Sequence, residues 1–78
     1  MNRLKLKEYN DERIVYTYLP EDDGEPGEVA YDVKTKETSV ITRASRDLYG
    51  RYAHNASRKI KEYIGEDYLP IHAIQAWG

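Results

Sequence analysis

Leu48-Tyr-Gly-Arg-Tyr-Ala-His-Asn-Ala-Ser-Arg-Lys-Ile-Lys-Glu-Tyr-Ile64 decides the fold. Stepped at about 100° per residue, Leu48, Tyr49, Tyr52, Ala53, Ala56, Ile60, Tyr63 and Ile64 fall within one arc of about 160°. Only Lys59 intrudes, near the edge, where its stem can lie on apolar surface while the amine reaches water. The opposite arc carries Asp47, Gly50, Arg51, His54, Asn55, Ser57, Arg58, Lys61 and Glu62. This division predicts an amphipathic helix of about 17 residues. Ser45 is the expected N-cap, Asp47 complements the positive helix start and stands four residues before Arg51, and Gly65 is the expected C′ stop. One helix roofs one face of a sheet, so the remaining chain must supply strands beneath it.

Two hairpins precede the helix. Arg3-Leu-Lys-Leu-Lys7 alternates with a period of two, and Arg13-Ile-Val-Tyr-Thr-Tyr-Leu19 is rich in β-branched and aromatic residues. Asn10-Asp11 between them suits a tight turn, which sets Glu8 opposite Arg13, Leu6 opposite Val15 and Leu4 opposite Thr17. Glu21-Asp-Asp-Gly-Glu-Pro-Gly-Glu28 reads as a solvated connection, because its glycines, proline and acids suit neither helix nor central strand. The second hairpin joins Glu28–Lys34 to Glu37–Thr42 through Thr35-Lys36, with Tyr31 opposite Val40 and Val29 opposite Thr42. Lys36 is then expected at positive φ, at a cost of about 1 kcal/mol.

In the tail, Pro70 could open a short helix. The extended alternative over Ile71–Trp77 is favoured, because Ile and Trp suit strands and the run is short for a helix. Trp77 is expected to be docked in either case. The expected fold class is α+β: a four-stranded antiparallel β-meander packed on one amphipathic α-helix, with a C-terminal extended segment or fifth strand. Residues 1–78 are read as one small domain.

These registers assign faces. Leu4, Leu6, Val15 and Leu19, with Val29, Tyr31, Val33 and Val40, go to the helix side. Ile14, Tyr16, Tyr18, Ala30 and Ile41 are left on the outward face beside Arg3, Lys5, Lys7 and Arg43. So much apolar and aromatic surface needs a cover. The tail could supply it, or the rings could lie flat beside lysine stems. A second copy could supply it through the open sheet face or an edge strand, a gain that suits so small a core. Single-stranded nucleic acid is the third candidate, with Tyr16 and Tyr18 as stacking platforms and basic residues neutralising phosphate. Against it stand the acidic 21–28 loop and the lack of a glycine-and-aromatic signature.

Charge runs in blocks: +3 over residues 1–7, −8 over 8–33, +6 over 34–61 and −3 over 62–78, for a net −2. The absence of cysteine removes disulfides and thiolate sites and suits a reducing, cytoplasmic setting. No apolar run approaches the ~20 residues of a membrane span, and nothing after the basic Met1–Lys7 stretch resembles a signal core. The basic stripe Arg51, His54, Arg58 and Lys61 reads first as a solvated helix face, although a DNA groove or an acidic partner would also fit it.

Catalytic signals are weak. His54 and His72 are eighteen positions apart in sequence, and His54 with Ser57 lacks an orienting carboxylate. The acidic loop fails EF-hand spacing, and Gly24-Glu-Pro-Gly27 cannot cradle phosphate past Glu25 and Pro26. Asn55-Ala-Ser57 matches a glycosylation sequon only by chance. The cadence is similar to that of short bacterial proteins, a likeness that carries no activity. The expectation is therefore a non-enzymatic interaction module without metal or cofactor, self-associating as a possible homodimer. Ile14, Tyr16, Tyr18, Ile41, Lys5 and Arg43 are its candidate contact residues, with single-stranded nucleic-acid binding as the alternative.

Overall fold

A computed structural model describes residues 1–76. In chain order it holds β1 (Asn2–Tyr9), β2 (Arg13–Pro20), β3 (Gly27–Asp32), β4 (Thr38–Thr42), α1 (Arg51–Gly65) and β5 (His72–Gln75). The five strands form one antiparallel sheet in the order β4-β3-β2-β1-β5. The first four are the meander. Helix α1 then crosses the sheet and delivers β5 to the far edge beside β1, so the extended reading of the tail holds for His72–Gln75. Trp77 lies outside the described residues.

The core sits between α1 and one sheet face, and its assignment corrects the sequence reading. Leu4, Ile14, Tyr16, Tyr18, Val29 and Tyr31 meet Ala53, Ala56, Ile60 and Tyr63 of the helix. Tyr16 and Tyr18 are fully buried, at 0% exposure. Ile14, Tyr16 and Tyr18 thus face inward, and Val15 is turned outward in their place. The cause is one residue in β1. Leu6 pairs with Tyr16 and Glu8 with Val15, so Lys7 is an extra residue in a β-bulge. The turn also moves, to Asp11-Glu12, with Asn10 Oδ1 accepting from the Glu12 and Arg13 backbone N–H groups at 2.8 and 2.9 Å. Because side chains alternate with a period of two, a one-residue slip exchanges the faces of a whole strand.

In the second hairpin Tyr31 pairs with Thr38 and Val29 with Val40. That slip is of two residues, so Val29 and Tyr31 keep their inward orientation. Asp32 Oδ1 accepts from the Lys34 and Thr35 N–H groups, both at 2.9 Å, and Lys36 takes the expected positive φ of 62°.

The helix is shorter at its start than its periodicity suggests. Leu48 and Tyr49 lie outside it, and the N-cap is Gly50 at φ 74°, where no side chain caps. Asp47 substitutes from outside: its carboxylate accepts from the Tyr52 and Ala53 N–H groups at 3.1 and 3.0 Å and from the Tyr18 hydroxyl at 2.9 Å. Ser45 instead accepts the Glu25 N–H through its hydroxyl, pinning the acidic loop. At the other end Gly65 is still helical. Asp67 takes the C′ position at φ 55°, and the Asp67 and Tyr68 N–H groups donate to Ile64 and Tyr63 carbonyls in a Schellman arrangement.

Candidate functional site

The outward sheet face lacks the aromatic platform expected of it. Its central apolar residues are Val15 and Ala30, which pair directly across β2 and β3 and are already buried. Over β2 runs an ion pair from Lys7, in the bulge, to Glu28 of β3. Arg3 is forked onto Asp22 through Nε at 2.6 Å and Nη2 at 2.9 Å, which raises its own pKa and holds the Asp22 carboxyl below its ordinary range. Arg3 Nη1 also lies 2.9 Å from His72 Nε2; the guanidinium can only donate, so that nitrogen accepts.

The sequence-predicted contact residues are dispersed. Ile14, Tyr16 and Tyr18 lie in the core, where neither tyrosine ring is presented to a base. The Tyr16 hydroxyl donates to the Pro70 carbonyl at 2.6 Å, and its ring lies 6.2 Å from that of Tyr63. The Tyr18 hydroxyl donates to Asp47 and accepts the Ala44 N–H at 2.9 Å. Desolvation pushes both phenols up to about 12. Gly27 opposite Tyr18 must remain glycine, since a Cβ there would stand 2.4 Å from Tyr18 Cε1 and 2.5 Å from the Ala44 nitrogen. Lys5 is exposed on the outer side of β1. Ile41 and Arg43 are at the far edge, on and just beyond β4.

Apolar side chains are also exposed at Leu48 and Tyr49 before α1 and at Ile71 and Ile74 around β5, and two further features are open to solvent. The first is the β4 edge, Thr38-Ser-Val-Ile-Thr42, where Val40 and Ile41 are 49% and 47% exposed and Ile41 is the extra residue of a second bulge. The second is a groove of about 570 Å³ at the end of the sheet that carries the two hairpin turns. Leu6, Ile14, Tyr31, Val33, Ile64 and Leu69 line it, with Tyr9, Tyr68, Asn10, Asp11, Lys36 and Asp67 around them. The β1 bulge creates part of this wall, because the shift in phase turns Tyr9, opposite Ile14, toward the helix side. Sequence reading missed the groove because it needs the helix end and both turns together.

Among the described residues no group of three His, Asp or Glu side chains could hold a metal ion, and no helix is long and apolar enough to cross a membrane. Arg51, His54, Arg58 and Lys61 are all exposed along α1. Comparison with family models, with curated proteins and with solved structures finds no match for this chain.

Proposed function

We propose that the chain is a non-enzymatic interaction module that associates with itself through the β4 edge. The observation that carries this reading is the make-up of that edge. Thr38–Thr42 is β-branched apart from Ser39, contains no charge and no proline, and stands at one edge of a sheet in which β3, β2 and β1 each pair with a strand on both sides. Unpaired edge groups on such a segment template another strand unless lysine, proline or a covering element guards them. The bulge at Ile41 twists the end of the strand but leaves Thr38–Val40 regular.

Antiparallel pairing of two copies about Val40 sets Val40 against Val40, Ser39 against Ile41 and Thr38 against Thr42. It also brings Glu37 of each copy opposite Arg43 of the other. Both residues are exposed, and among the described residues neither belongs to an ion pair. The pairing is isologous, so it closes as a dimer and joins two five-stranded sheets into one. A cytoplasmic setting goes with this reading, since a chain without cysteine has no use for an oxidising compartment.

Sedimentation tests it. The native chain should give about twice its 9.1 kDa mass at low micromolar concentration, and Val40→Lys should remain monomeric at that concentration. Arg43→Glu should weaken the dimer, and adding Glu37→Arg to it should restore it. A native chain that stays monomeric at millimolar concentration ends the proposal.

A further inference from the structure

Two anomalies stand at opposite ends of the molecule. In the turn before α1, Leu48 and Tyr49 are 70% and 92% exposed. Leaving two large apolar side chains side by side in water forgoes the stabilisation that burying either would bring. At the other end the groove between the helix terminus and the hairpin turns stands open. The 15 residues of α1 separate them by about 22 Å, in a molecule 31 Å long. One copy therefore cannot fill its own groove with its own turn.

The two ends match in chemistry. Arg46 and Arg51 flank the turn; Arg51 is exposed, and the ion pair from Arg46 to Asp23, at 3.3 Å, is itself in water. Of the three charged side chains around the groove, two are carboxylates, Asp11 and Asp67, and among the described residues neither is in an ion pair. Its apolar floor and its two exposed rings, Tyr9 and Tyr68, offer what Leu48 and Tyr49 lack. We infer that the Leu48–Tyr49 turn of one copy docks in the groove of another, with Arg46 and Arg51 facing Asp11 and Asp67. The contact joins two different surfaces and so propagates head to tail. It uses none of the β4 residues and stands or falls separately from the edge pairing.

The test is made in a Val40→Lys background, which silences the edge. A turn variant carries Leu48→Ser and Tyr49→Ser; a groove variant carries Asp11→Lys and Tyr68→Ser. All four positions are exposed, so circular dichroism should show both variants folded. Each variant alone should sediment as a monomer. Mixed in equal amounts, they should form a complex of two chains and stop there, because one intact turn and one intact groove remain. Arg51→Glu alone should weaken head-to-tail association on the order of tenfold. A mixture that stays monomeric at high micromolar concentration overturns the inference, as does a turn variant that self-associates like its parent.

Discussion

Asp47 is one of two buried polar side chains among the described residues, the other being Asn2. Its buried carboxylate, at 1% exposure, joins the helix start to the sheet by accepting from two α1 amides and from Tyr18. Gly50 makes this necessary: the chain enters the helix through a left-handed residue with no side chain, so the cap has to come from elsewhere. The positive helix terminus favours the charge. Asp47→Ala removes the cap and leaves a buried hydroxyl without its acceptor, a combined loss of about 3 kcal/mol. For a chain of this size the midpoint of thermal unfolding should fall by about 12–24 °C. Tyr18→Phe should cost less, and a double-mutant cycle in urea should show the two losses to be coupled. Asp67 gives the opposite expectation. Glycine is at ease at its φ of 55°, so Asp67→Gly should raise stability by up to about 1 kcal/mol in the same melts.

Element by element, composition and periodicity exposed the architecture, while the placement of residues on faces depended on a feature they do not encode. Strand positions, the helix body, the strained Lys36 and the extended tail all follow from local chemistry, because β-branched runs, a 3.6-residue period and turn residues act over a few positions. The bulge at Lys7 has no such signal: Leu4, Leu6 and Val15 give a regular pairing as satisfying as the real one. The preference for Tyr16 and Tyr18 in the core comes from partners distant in sequence, Asp47, Ala44, Tyr63 and Pro70. The groove depends on the same shift and was equally hidden. Ile41 and Arg43 read from the sequence as part of the outward sheet face; that they lie at its edge follows from strand order, which local pattern does not encode. The bulge itself can be tested by deletion. Without Lys7, Glu8 still opposes Val15 and Tyr9 still opposes Ile14 in a regular ladder, so the protein should fold with a loss of about 1 kcal/mol or less from the missing Lys7–Glu28 pair. Without Lys5, either Leu4 turns to water, or Leu6 turns out and Lys7 turns in. Denaturant unfolding should then show a loss of at least about 2–5 kcal/mol.

Across the whole molecule, the charge blocks that are separate in sequence interleave in space. Basic β1 and the segment before α1 meet the acidic connection through Arg3–Asp22, Lys7–Glu28 and Arg46–Asp23. Arg13 lowers Glu8, Arg3 lowers Asp22 and the Thr35 N–H lowers Asp32, so these carboxyls favour the folded state above their ordinary range and lose that contribution in acid. All of them are in contact with water, so the acid side of the stability profile should be shallow and salt-sensitive. The alkaline side is governed by the core. Tyr16 and Tyr18 ionise near the ordinary 10 when unfolded but only at about 12 when folded, because burial under α1 disfavours the charged ring. Above pH 10 the unfolded chain therefore releases protons that the folded chain retains, and stability falls until both states are ionised near pH 12. Thermal midpoints measured from pH 8 to 12 should stay level and then drop steeply from about pH 10. Tyrosinate absorbance should rise together with the loss of helix instead of preceding it for these two rings. Tyr16→Phe should flatten the drop without abolishing it, since it removes one of the protons whose release drives unfolding, while Tyr18 and Tyr63, raised by the same burial, keep theirs.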